Sequence, residues 1–181
     1  MKKECNLILI GMSAVGKTKT GKVVSILSNK KFIDEDDFLE DTHGKSIPDL
    51  KLHFSEDKYI ELENENLDYL YNLNNHIIAV GGRTGMRENL KSFFKKGCAV
   101  IVLLKPSLEY IQMKYEEKKS DKSDKNLRRN LVFQSPSKIE EEYYLRYDLM
   151  CKNADIIIDS SYLDKEEVAR IIIKEYQKLF I

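Results

Sequence analysis

Tryptophan is absent from this chain of 181 residues, proline and cysteine occur three times each, and glycine only eight times. So little glycine and proline excludes collagen-like and low-complexity linker sequences. Charge of one sign is also missing: 30 Lys and Arg balance 30 Asp and Glu. That balance gives no support to a surface that tracks polyphosphate, or to a disordered acidic tail. No run approaches the roughly 20 consecutive apolar residues of a membrane span. The start Met1-Lys2-Lys3-Glu4-Cys5 leads straight into a strand-like segment rather than a signal peptide, so the cytoplasm is the expected location. Cys5, Cys98 and Cys151 are far apart, odd in number and without C-x-x-C spacing. They are expected to be core thiols rather than a disulfide framework or metal ligands.

What is present is enough apolar material, 42% of residues, for one well-filled core. Short continuous runs rich in β-branched residues alternate with longer amphipathic stretches, the pattern of a parallel sheet covered by helices on both faces. Strands are expected at Asn6–Ile10, Lys31–Asp34, Ile77–Val80, Ala99–Leu104 and Asp155–Ile158. Helices are expected at Lys17–Ser28, Glu56–Leu73, Met86–Lys95, Ser107–Lys118, Lys138–Cys151 and Lys165–Leu179. The reading is a single α/β domain over 1–181, three layers deep, with five parallel strands. Glu116–Val132 is crowded with Lys, Asp, Ser and Asn. It reads either as a solvated surface loop or as a mobile lid.

Gly11-Met12-Ser13-Ala14-Val15-Gly16-Lys17-Thr18 fits the pattern G-x-x-x-x-G-K-[ST], directly after the first strand and opening the first helix. Glycines there let successive N–H groups curl around a phosphate, and the helix N-terminus adds its positive dipole. A lysine at position 17 reaches the β/γ oxygens of a nucleotide, and a hydroxyl at 18 serves Mg²⁺. Gly11, Ala14, Val15, Gly16, Lys17, Thr18 and Lys19 are therefore the expected ATP contacts. A plain glycine turn between strand and helix would explain the glycines but not the Lys-Thr pair.

The second strand runs into Asp34-Glu35-Asp36-Asp37 at the sheet edge that also carries this loop. Residues i and i+2 of an extended segment share a face, which lets Asp34 address Mg²⁺ while Asp36 faces an acceptor hydroxyl. Glu35 and Asp37 read as acidic residues favoured at a helix N-terminus.

Phe32-Ile33-Asp34-Glu35-Asp36, followed by Gly44-Lys45-Ser46-Ile47, resembles the shikimate kinase segment in which Asp-x-Asp precedes an acidic helix and a Gly-x-x-Ile turn. Further stretches fall into the same order. Glu56 and Glu63 sit where that family has Gly-Glu-x-x-Phe-Arg-x-x-Glu, and Ala79-Val80-Gly81-Gly82 resembles its Ala-Thr-Gly-Gly-Gly loop. Arg129-Asn130-Leu131 resembles its lid motif Arg-Pro-Leu, and Arg146 its late substrate-binding Arg. The resemblance implies a P-loop kinase fold with a lid and transfer of the γ-phosphoryl of ATP to shikimate. It further implies that Lys17 and Arg129 hold the transferring group and that Arg129 also contacts the nucleotide. Thr18 and Asp34 would place Mg²⁺, and Asp36 would take the hydroxyl proton. Gly81 and Gly82 would line the acceptor pocket, with Arg146 on the acceptor's carboxylate.

The motifs also depart from the family. Tyr59-Ile60 replaces Phe-Arg, Arg83 stands at the third glycine, Asn130 replaces the lid proline, and Met150 stands where a Tyr is usual. Arg83 is expected to restore part of the carboxylate grip that Ile60 does not provide, unless it pairs with Glu88. Another small hydroxy acid or polyol such as gluconate remains open as acceptor, as does a silent nucleotide-binding module. A monomer acting on a small molecule, without nucleic acid or membrane, is expected.

Overall fold

β1 (Asn6–Ile10) is buried at all five positions in the computed structural model, which describes residues 5–88, 90–95, 98–120 and 135–179. It lies at the centre of the order β2-β3-β1-β4-β5, and every pairing is parallel. The other strands are β2 (Lys31–Asp34), β3 (His76–Ala79), β4 (Ala99–Leu104) and β5 (Ile156–Ile158). Parallel neighbours need crossovers, and these are supplied by α1 (Lys17–Ser28), α2 (Glu35–His43), α3 (Ile47–His53) and α4 (Glu56–Tyr71), then α5 (Leu90–Lys95), α6 (Leu108–Ser120) and α7 (Pro136–Asn153). α8 (Lys165–Lys178) closes the chain over the described residues.

The two-residue period of the strands divides the core in two. Ile8, Ile10, Ile78, Ile101 and Leu103 face one layer with Leu67, Leu70, Phe94, Tyr147 and Met150. Leu7, Leu9, Ile77, Val100 and Val102 face the other with Val24, Val168, Ala169 and Ile172. The strands read as unbroken apolar runs because both faces are covered. α2, α3 and α4 add a side cluster of Leu39, Leu50, Tyr59 and Leu62 beside β2.

α2 and α3 lie outside the helices expected from apolar periodicity. They have only nine and seven residues, and capping starts them: the Asp34 side chain accepts from Asp36 N–H, and the Ser46 side chain from Asp49 N–H. The helix expected at Met86–Lys95 divides into a 3₁₀ turn at Thr84–Met86 and the shorter α5. The cysteine reading also changes. Cys5 and Cys98, 93 residues apart in sequence, form a disulfide with Cα atoms 4.5 Å apart, while Cys151 is free. The β1–β4 register sets Asn6 opposite Ala99, so the residues just before them meet, which sequence spacing does not reveal. Of the segment expected as a lid, Glu116 to Ser120 continue α6; the rest, with Arg129 and Asn130, lies outside the described residues. Among the described residues no helix is long and apolar enough to cross a membrane.

One buried side chain ties α7 to the loop after β3. Asn153 donates from Nδ2 to the carbonyls of Gly85 (3.3 Å) and Arg87 (2.9 Å), and its Oδ1 accepts from Lys91 N–H at 3.4 Å. Removing one partner leaves buried groups unpaired at about 1–3 kcal/mol each. Asn153→Ala is expected to lower unfolding free energy by about 2–4 kcal/mol in urea titration; a loss under about 0.5 kcal/mol would show that the tie is not structural.

Candidate active site

The chain leaves β1 through a loop that only glycine can begin. Gly11 has φ 150°, and a Cβ there would come within 2.8 Å of the Leu104 carbonyl oxygen. Ala14 (φ 66°) and Gly16 (φ 99°) are also left-handed, and Gly16 caps α1 without any side-chain hydrogen bond. The first turn of α1 has no acidic residue of its own, so its N-terminal amides and dipole are turned toward the loop. Lys17 folds back and donates from Nζ to the carbonyls of Gly11 and Met12, both at 2.9 Å. Burial lowers its pKa, opposed by the charges of Asp36, Asp34 and Glu35, with Arg146 lowering it further. Val15 packs against both core clusters, and Lys19 is exposed on the first turn of α1.

The carboxylates after β2 arrive opposite this loop because β2 and β1 end at the same edge. Thr18 donates from Oγ1 to Asp34 Oδ2 at 2.6 Å, and Asp34 Oδ1 accepts from Asp36 N–H at 3.1 Å. Thr18 and Asp34 thus present two oxygens side by side. This is a donor set suited to a small hard cation that keeps its remaining ligands from water and phosphate. Among the described residues no group of three or more His, Cys, Asp and Glu forms a complete metal cage. Asp36 is exposed as a residue, but its carboxylate turns in against Gly81, where a Cβ would lie 3.1 Å from Oδ1. Its carboxyl is pushed up to about 6 by desolvation and by the charge of Asp34, while Lys17 opposes the shift.

β3 delivers the third wall. A carbon on Gly81 would lie 3.1 Å from Asp36 Oδ1; one on Gly82 would lie 3.4 Å from Ser13 Oγ and 3.7 Å from the Arg146 guanidinium. The glycine pair therefore keeps open the space shared by the phosphate loop, Asp36 and α7. Arg146 donates through Nε to Glu142 one turn earlier, an ion pair along α7 that coexists with its approach to the glycines. Arg83 turns toward α4, with Glu56 at 3.6 Å and Glu63 at 3.9 Å. Its acidic partners are these two rather than the neighbouring Glu88.

Lys17, Thr18, Asp34, Asp36, Gly81, Gly82 and Arg146, all singled out from sequence, converge here. Arg129 lies outside the described residues. Glu35 does stand in the first turn of α2, as expected of a helix-start acid, but its tie to the loop after β3 was not anticipated. It is 3% exposed and accepts from Gly81 N–H at 2.6 Å and from Thr84 Oγ1 at 2.8 Å. Burial pushes its carboxyl up to about 8 against those two hydrogen bonds. The segment is not extended beyond Asp34, contrary to the expectation that Asp34 and Asp36 share a strand face: Asp34 caps α2, and Glu35 and Asp36 are its first two residues, pointing about 100° apart, with Glu35 toward β3.

The family model for shikimate kinase matches residues 13–177. The shikimate kinases of Thermodesulfovibrio yellowstonii and Caldanaerobacter subterraneus are each 32% identical over 175 residues, 96% of this chain and 96% and 97% of theirs. Among solved structures, the shikimate kinase of Acinetobacter baumannii in complex with shikimate superposes with a TM-score of 0.80 at 22% identity, over 98% of this chain and 95% of that one. The enzyme from Aquifex aeolicus gives 0.75 at 24%, over 96% of each chain.

Glu35 fastens the start of α2 to the loop after β3, and its removal leaves the Gly81 amide and the buried Thr84 hydroxyl unpaired. Glu35→Ala is expected to cost about 2–4 kcal/mol in chemical denaturation, with Glu35→Gln recovering at least half by keeping an acceptor oxygen. Equal stability of the alanine variant and the parent would show that this contact holds nothing.

Proposed function

The chain belongs to the shikimate kinase family and is a P-loop small-metabolite kinase; from that premise we propose that it transfers the γ-phosphoryl of ATP to a hydroxyl of shikimate, giving shikimate 3-phosphate. The observation that carries the reading is the meeting of Asp36 with Gly81 across the crevice from Lys17 and the Thr18–Asp34 pair. That arrangement supports a reading in which the phosphate groups and an acceptor hydroxyl share one space.

Thr18 and Asp34 would hold Mg²⁺, which when bound neutralises phosphate charge and orients the phosphates. The amides of the loop and of the first turn of α1 bind the phosphates, and Lys17 exchanges its two carbonyl contacts for phosphate oxygens. Asp36 accepts the proton of the acceptor hydroxyl as that oxygen bonds to the γ-phosphorus and the bond to the β–γ bridging oxygen breaks, releasing ADP. Gly81 and Gly82 leave room for the acceptor ring, and Arg146 meets its carboxylate with a planar fork of donors. Arg129 is assigned to the transferring phosphoryl on the family motif alone. Positioning and charge neutralisation supply most of the rate, since this transfer asks for little covalent help from protein.

ADP release with Mg·ATP, followed by mass identification of the product, tests the reading against shikimate and gluconate side by side. Ile60, at the position of the family's Arg, is what keeps gluconate in the comparison. Shikimate-dependent ADP release with shikimate 3-phosphate as product is expected; release with gluconate alone would overturn the acceptor. Lys17→Ala is expected to abolish transfer while circular dichroism remains that of the parent. Asp36→Asn is expected to lower kcat by about 10²-fold or more with ATP affinity nearly kept. Near-parental turnover in either variant would remove the mechanism.

A further inference from the structure

Two arginines adjoin the glycine pair, Arg146 with its guanidinium 3.7 Å from a Cβ built on Gly82 and Arg83 as the next residue of the chain, and they are held differently. Arg146 is fixed by its hydrogen bond to Glu142. Arg83, next in the chain after Gly82, lies over the Tyr59 ring with Cζ 5.7 Å from the ring centre. Its acidic neighbours, Glu56 at 3.6 Å and Glu63 at 3.9 Å, are beyond hydrogen-bond reach. The side chain is thus oriented by a ring face and two charges, while its planar fork of donors makes no hydrogen bond among the described residues.

Glu63 explains why the orientation is kept. It is 9% exposed, its Oε2 has no hydrogen-bond partner, and it faces Arg83 on one side and Arg87 at 3.8 Å on the other. A buried carboxylate in that state is costly unless cations balance it, so Glu63 holds both arginines toward itself. Arg87 is further committed to Asn64 by a hydrogen bond. Glu56, by contrast, has a side chain 76% exposed, and an incoming anion replaces it at little cost. The arrangement leaves Arg83 as the cation with donors to give, at half exposure, one residue beyond the glycine pair.

We propose that Arg83 is a specificity-determining residue of the acceptor site: seated on Tyr59 and Glu63, it reads the acceptor's carboxylate from one side of Gly81–Gly82 while Arg146 reads it from the other. The proposal rests on the acceptor crevice assigned above and adds the residue that selects an acid over a neutral analogue. A guanidinium gives two parallel hydrogen bonds to a carboxylate, which an ester cannot accept in the same charged form.

The test is steady-state kcat/KM for a panel of hydroxylated carboxylic acids, shikimate among them, beside their methyl esters. The parent protein is expected to favour an acid over its ester. Arg83→Ala is expected to reduce that ratio at least about tenfold, mainly through the acid's KM, with Arg83→Lys intermediate because it keeps charge without the fork. Glu63→Gln, which keeps volume but removes the charge under Arg83, is expected to lower the same ratio. An unchanged ratio there overturns the seat, because a packing role alone would move acid and ester together. A parent that favours the acid while Arg83→Ala keeps the full ratio overturns this proposal and leaves the kinase reading standing. A parent that turns over no acid in preference to its ester overturns the proposal too, and failure with shikimate itself overturns the acceptor reading as well.

Discussion

All five strands run parallel and end at one edge of the sheet, and there the 2.6 Å hydrogen bond from Thr18 to Asp34 joins the first turn of α1 to the end of β2. Most of the site follows from this constraint. β1 is central, so the loop that follows it opens where the strand order turns outward on both sides, the place where such sheets leave a crevice. β2 and β3 bring their exits to the same place on one side of β1. A carboxylate pair, a glycine pair and a phosphate loop that are distant in sequence then share one space without any long loop having to carry them.

The ionisable groups there are interdependent. Lys17 sits among Asp34, Glu35 and Asp36, whose charges oppose the effect of its burial, while Asp36 is raised by desolvation and by Asp34. Phosphate and a divalent cation would replace part of this balance when they bind. Glu35 serves a different end: it is turned away from the crevice into the β3 side, where it fixes the Gly81 amide and the Thr84 hydroxyl. Adjacent acids at the start of α2 are thus turned in different directions by the helix, Glu35 into the β3 side and Asp36 toward the space before Gly81.

Strand positions, the phosphate loop and the residues converging at the site were legible in the sequence because each carries a local signature: an unbroken apolar run, a glycine spacing, an Asp-x-Asp at a strand end. α2 and α3 were less so, being short helices started by Asp34 and Ser46 rather than by an apolar stripe. The Cys5–Cys98 pairing depends on strand register, which no spacing rule contains. The partners of Arg83 were hidden for the same reason. Its proximity to Glu56, Tyr59 and Glu63 depends on how α4 packs beside the loop after β3, whereas sequence distance pointed to Glu88. Local chemistry was readable; the contacts made by packing one crossover against another were not.

In the proposed reaction one crevice holds the transferring phosphate and the acceptor hydroxyl at once, between Lys17 and Asp36. A crystal structure with Mg²⁺, an unreactive ATP analogue and shikimate tests it most directly. The account predicts the γ-phosphorus at Lys17, with one shikimate hydroxyl about 3–3.5 Å from it and within hydrogen-bond distance of Asp36. Shikimate bound away from Asp36 and the Gly81–Gly82 pair, or γ-phosphate directed away from that space, would contradict it.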